Sequence, residues 1–199
     1  MLVPLFLTLF VQPAAILLNQ SMTTEEIMRV YIYASQTLLP LGMLLWGMAY
    51  LQVWIDSDGE EMLRSVKQGQ HSVYPNLFLL VILYSLANIP SHLLALAYQV
   101  SNHWQYLRVF AVYIFFVGVL YLLSLLLRSV TIAACVLFIY LFLASMSPER
   151  DAYALWNVLR PHELVTAAHF QPYYLVVLSI GVLITLVAVF YEKCRYHFA

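Results

Sequence analysis

His162, Glu163 and His169 are the residue types of metal-assisted hydrolysis: imidazoles to hold zinc and a carboxylate to activate its bound water. One ion held from a single helix turn needs a second histidine where this chain has Thr166. His162 and His169 share a helix face, but about 10 Å of helix axis separates them, too far for one ion. Two carboxylate pairs, Glu25-Glu26-x-x-Arg29 and Glu60-Glu61-x-x-Arg64, have groups fit to activate water beside a cation, yet both lie outside the apolar runs. No Gly-x-Ser-x-Gly elbow and no Walker phosphate loop occurs. The expectation is a chain with no catalytic motif, no metal site and no cofactor of its own. A different polar group follows helical spacing: Ser85, Asn88, His92 and Gln99 share one face of a helix that Pro90 loosens. Polar side chains in such a run turn either toward other helices or toward a polar pathway, and both readings stand.

The elements that must position these residues follow from composition. Of 199 residues, 63% are hydrophobic and only 10% charged, with a net charge of −1. A soluble domain has about 25% charged residues, so the chain is read as an all-α integral membrane protein in a lipid bilayer. The near-neutral charge excludes a basic nucleic-acid binder. Cys135 and Cys194 lie far apart and form neither a disulfide framework nor a metal site.

Crossing about 30 Å of hydrocarbon takes about 20 apolar residues. The runs that qualify are 1–18, 30–55, 74–98, 106–127, 130–146 and 173–191, giving six transmembrane helices in a single domain over residues 1–199. The first has no basic leader region and no small-residue cleavage site, and is read as a span. Residues 106–146 as one helix would be about 60 Å long with Arg128 near the bilayer centre, so a tight reversal is expected at Arg128-Ser129. An even number of spans places both termini on one side. With that side cytoplasmic, inside segments hold Arg64, Lys67, Arg128, Lys193 and Arg195, and outside segments hold Arg29, Arg108, Arg150 and Arg160. Tyr31, Trp54, Tyr74, Trp104, Tyr173 and Tyr191 fit interfacial belts.

Two connections have internal order. In Asp56–Ser72, Ser57 and Glu60 form a capping-box pattern, Gly69 suits a helix C-terminus, and acidic residues precede Arg64 and Lys67 as a helix dipole prefers. Met62, Leu63 and Val66 make one apolar ridge, which suits lipid, the chain's own spans or a groove on a partner. In Ser147–Pro172, Ser147-Pro148-Glu149 opens one short helix with Leu155, Trp156 and Leu159 on its apolar face. Pro161 opens a second, ending near His169. They form either a partly re-entrant cap or an ordinary loop with interfacial helices.

In order and spacing this layout resembles the permease subunit of the type-2 ABC (ATP-binding-cassette) exporters over nearly the whole chain. Asp58-Gly59-Glu60-Glu61-Met62-Leu63-Arg64-Ser65 is similar to that family's coupling helix, between the second and third spans. Leu125-Leu126-Leu127-Arg128-Ser129 resembles the end of its fourth span. Trp156-Asn157-Val158-Leu159-Arg160-Pro161 resembles its exoplasmic helices, and the basic tail matches. The chain departs from the family in lacking an amphipathic helix before the first span and in carrying Gly-Glu where Gly-Thr is usual.

The resemblance implies a cytoplasmic coupling helix between spans two and three and two short exoplasmic helices before span six, in a bacterial plasma membrane with both termini cytoplasmic. It implies a second permease subunit, identical or different, and a separate ABC ATPase that binds ATP and Mg. Coupling would fall to Asp58, Gly59, Glu60, Glu61, Met62, Leu63, Arg64, Val66 and Lys67. The substrate, a lipid, peptide or drug-like molecule, would move outward past Ser85, Asn88, His92 and Gln99. Other classes make different demands. A substrate-capture subunit of a vitamin-type uptake system would bind its ligand alone, through residues such as Asn88 and His92. An intramembrane enzyme built on His92, or on His162 and Glu163, lacks a recognisable nucleophile, and the carboxylate pairs are one residue short of the Glu-Glu-x-x-x-Arg of CAAX-type intramembrane proteases. A purely structural or immunity-type membrane protein predicts no ATPase in the complex.

Overall fold

Long apolar runs fold as helices because each backbone N–H then finds its acceptor within the run. The structure, a computed structural model, describes residues 6, 9–10, 12–18, 23–56, 73–146, 158–159 and 173–197. Among these there is no strand. Helix α1 is Gln12–Leu18, within the expected first span. Helix α2 runs Thr24–Ile55, α3 Tyr74–Ala97, α4 His103–Leu127, α5 Val130–Met146 and α6 Leu175–His197.

Among the described residues four helices, α2, α3, α4 and the Leu175–Cys194 stretch of α6, are long and apolar enough to cross a membrane. Helix α5 has 17 residues. At 1.5 Å each it is about 25 Å long, just under the hydrocarbon thickness. The outward faces are apolar: Ile139, Phe142 and Leu143 on α5, and Leu183, Leu186 and Phe190 on α6, are all exposed. In water such a belt is an aggregation surface, whereas in hydrocarbon it is a solvated one.

Helix α2 begins earlier than the expected Val30. Thr23 caps it: its Oγ accepts from the Glu26 N–H at 3.4 Å, and the Glu26 carboxylate accepts from the Thr23 N–H at 2.9 Å. The Glu25-Glu26 pair is therefore the acidic first turn of a capped helix, where the macrodipole favours it.

Helix α4 is the hub, packing on α2, α3, α5 and α6. Its most apolar stretch is 67% buried against 28% for α6, which places α4 at the centre and α6 at the periphery. Tyr113, Phe116, Leu120 and Tyr121 are buried there with Met43, Leu44 and Leu51 of α2 and Leu77 and Tyr84 of α3. The α4–α6 seam is the tightest. A Cβ added at Gly118 would lie 2.6 Å from Thr185 Oγ1, and one at Gly181 would lie 2.8 Å from Phe115 Cα. The small residues Gly181 and Thr185 thus let two backbones touch, as small-residue seams do where packing replaces the hydrophobic effect.

The reversal falls at Arg128, in the left-handed region at φ 52°. Asp56, just past the end of α2, caps the next helix across the gap. Val130 N–H donates to its carboxylate oxygens at 3.0 and 3.2 Å. A carboxylate is misplaced at its own helix's C-terminus and well placed at the N-terminus of α5, so the favourable contact is the one between elements.

Two sequence expectations change. Arg108, assigned to an outer segment, lies in the second turn of α4 at 1% exposure. Tyr31, assigned to an interfacial belt, is buried at 3%. Both are drawn inward by polar partners. The segment 57–72 and most of 147–172, with the expected coupling and exoplasmic helices, lie outside the described residues.

Candidate functional site

Polar side chains gather inside the bundle at the end opposite the Arg128 reversal, where α2 enters, α3 ends and α4 begins. Two prolines shape it. Pro40 has no N–H to give the Gln36 carbonyl, and the residues before it, Ala34–Leu38, form a π turn in which Leu39 N–H reaches Ala34 O. The wider turn leaves adjacent residues Ser35 and Gln36 both buried. In α3, Pro90 likewise follows a break at Asn88, whose N–H turns to Ser85 O at 3.1 Å. The Asn88 amide repairs the break by donating to Tyr84 O at 3.0 Å and to the Tyr113 hydroxyl at 2.8 Å.

The next helix is set by the turn after α3. Gln99 takes φ 56°, its N–H meets Leu96 O and Val100 N–H meets Ala95 O, both at 3.0 Å, the paired bonds of a Schellman cap. Asn102 then caps α4 by accepting from Gln105 N–H at 2.9 Å. This places Gln105 and Arg108 on the inner face of α4. The Gln105 amide donates to Ser35 Oγ at 3.3 Å, and Ser35 donates to Ile32 O at 2.9 Å. Arg108 donates to the Leu159 carbonyl and stands over the Tyr174 ring at 4.8 Å. Val158 N–H donates to the Tyr140 hydroxyl at 3.2 Å, so the pair Val158-Leu159 is held from two helices.

His92 forms the other half of the layer. Its Nδ1 lies 3.3 Å from the Tyr31 hydroxyl and 3.5 Å from Ser101 Oγ, and its ring packs 4.9 Å from Tyr106 and 6.2 Å from His103. Several buried atoms of the layer have no hydrogen-bond partner: both ends of the Gln36 amide, Gln105 Oε1, Asn88 Oδ1, His92 Nε2 and the Tyr84 hydroxyl. Buried polar groups are almost always bonded, to protein or to water, so such a cluster marks a polar layer that the protein's own groups do not complete.

Of the residues singled out as pathway lining, Ser85, Asn88 and His92 are buried on one side of α3. Ser85 closes on Val81 O at 2.8 Å within its own helix. Gln99 does not join them, because it has left the helix to form the cap and is exposed. The coupling residues Asp58, Gly59, Glu60, Glu61, Met62, Leu63, Arg64, Val66 and Lys67 lie outside the described residues, as do His162, Glu163 and His169. Among the described residues no three His, Cys, Asp or Glu side chains come together as a metal site. Cys135 and Cys194 are free thiols.

Sequence reasoning did not single out Gln36, Gln105 or Ser35. The signal was present as spacing: Tyr31 and Ser35 are four apart, Gln105 and Arg108 three apart, each a polar stripe on a mostly apolar helix. The chain matches no family model, no curated protein and no solved structure.

Proposed function

We propose that this chain is the membrane-spanning subunit of a type-2 ABC exporter. In this reading α1, α2, α3, α4, α5 and α6 belong to six crossings, with the Arg128 end cytoplasmic. Two such subunits pair, and each meets a separate ATPase through residues 58–67. ATP and Mg act on that partner.

The supporting observation is the joint at the Arg128 end. Asp56 and Val73 flank residues 57–72, and both are tied to the bundle. Asp56 caps α5, Gln52 donates to Thr131 Oγ1 at 3.4 Å, and the Tyr50 hydroxyl donates to Val73 O at 3.5 Å. The Tyr121 hydroxyl donates to buried Glu192, bringing α6 to the same end. A push on the charged segment would thus reach α2, α3 and α5 through hydrogen bonds beside its two ends, and α6 through the Tyr121–Glu192 bond carried by α4. The nucleotide, held on the ATPase, does its work by binding more tightly when the complex has one arrangement of these helices than when it has the other, since only differential affinity shifts such an equilibrium.

The test is purification of the tagged chain from its native membrane. An ABC ATPase should co-purify, and Leu63→Asp should abolish ATP-driven transport while membrane insertion stays normal. Transport undiminished by Leu63→Asp would end the proposal.

A further inference from the structure

His92 is the buried imidazole of the polar layer. It is 7% exposed, and its two nitrogens meet different surroundings. Nε2 is buried without a hydrogen-bond partner, while Nδ1 lies 3.3 Å from the Tyr31 hydroxyl and 3.5 Å from Ser101 Oγ. Ser101 Oγ in turn lies 3.4 Å from the Tyr31 hydroxyl and 3.5 Å from the Asn102 carbonyl oxygen. These spacings exceed the about 2.7–2.8 Å of a strong hydroxyl bond, so no hydroxyl hydrogen is locked in one direction. The turn that holds Ser101 and Asn102 joins two membrane-length helices, which places it at the bilayer surface, and both residues are half-buried.

This row of groups is complete in either direction. With the ring neutral, Ser101 donates to Tyr31, Tyr31 donates to Nδ1, and the ring hydrogen sits on Nε2. With the ring protonated, Nδ1 donates to Tyr31, Tyr31 to Ser101, and Ser101 to the Asn102 carbonyl. Passage from the first state to the second balances. One proton from water reaches Ser101 Oγ, Ser101 passes its own hydrogen to Tyr31, and Tyr31 passes its own to Nδ1. The imidazole gains one proton, and both hydroxyls are restored with their hydrogens reversed. A single fixed bond to Tyr31 is within the reach of an amide; an imidazole adds a proton that comes and goes near neutrality. The titratable groups that face the ring are Tyr31 from α2 and His103 and Tyr106 from α4. Tyr106 gives its hydrogen to Ser85 O at 2.8 Å, and α1 brings only apolar Ile16 to this cluster. Among the described residues no carboxylate, lysine or arginine meets the ring to hold its charge fixed. We propose that His92 is a reversible proton-binding site inside the bundle, loaded through Ser101 and Tyr31 from the turn between α3 and α4. Ionisable groups within a membrane bundle serve as proton relays where partners of this kind adjoin them. The site stands apart from the exporter reading and needs no ATPase.

The test is NMR of the full chain in lipid nanodiscs with isotope-labelled histidine. The His92 signals are those lost in His92→Gln. Should that variant not fold, they are those that remain when the other five histidines are glutamine. Between about pH 8 and about pH 4 the ring should pass reversibly from neutral, with its hydrogen on Nε2, to doubly protonated, with the backbone spectrum unchanged. Exchange of its proton with water should slow about tenfold or more when Tyr31→Phe and Ser101→Ala are combined. Ser101→Thr, which keeps the hydroxyl, should exchange as the wild type does. A ring that stays neutral over this range, or that exchanges as fast without the two hydroxyls as with them, would overturn the proposal. Should the double variant not fold, equal exchange in Ser101→Ala and Ser101→Thr would overturn it instead.

Discussion

The two ends of the bundle handle buried polarity in opposite ways. At the Arg128 end the polar groups are matched: Asp56 with the N–H of Val130, Tyr121 with Glu192, and Ser124 with Leu120 O at 2.7 Å. At the other end Gln36, Gln105 and His92 keep buried atoms without partners. Matched groups fix one geometry and make a joint, while the others leave polar atoms for water or another polar partner to meet. The same central helix, α4, carries both, so one element links a joint to a chamber, the small void lined by Ser35, Gln36, Arg108 and Val112.

The comparison can be broken at its common support. Gly181→Leu forces a side chain into the backbone of Phe115 and should cost more than about 3 kcal/mol, seen as loss of folded protein in detergent. Loss confined to one end, with the other still protected from hydrogen exchange, would mean that α4 does not couple them. Tyr121→Phe removes a hydrogen bond to a buried carboxylate and should lower stability by about 1.5–3 kcal/mol, read from the unfolding midpoint. Asp56→Ala deletes the cap shared between α2 and α5 and should cost about 1 kcal/mol. Smallest of all, Gln99→Gly relieves a left-handed glutamine and should stabilise by about 0.5–1 kcal/mol, with no effect on the chamber.

What the sequence made legible was length and punctuation. Helix α5 spans Val130–Met146 as expected, because one charged residue beside a serine can only interrupt two apolar runs by turning them. The start of α2 is harder to read, because the glutamate that closes the Thr23-x-x-Glu26 cap also belongs to a carboxylate pair resembling catalytic ones. Gln99 fits the helical spacing of Ser85, Asn88 and His92, and only the backbone reveals that α3 has ended before it. The inner layer was harder still. These helices are apolar all round, so hydropathy separates neither the lipid side from the packed side nor a loop arginine from a buried one such as Arg108. That distinction is made by the partners, and Leu159 and Tyr174 lie far from Arg108 in sequence.

The direct test of the joint-and-chamber contrast is thiol accessibility, with Cys135→Ser and Cys194→Ser as background. A small water-soluble methanethiosulfonate should modify Gln36→Cys in folded protein. Ser124→Cys, equally buried but at the matched end, should stay unmodified. Equal rates at the two positions would contradict the division of the bundle into a joint and a chamber.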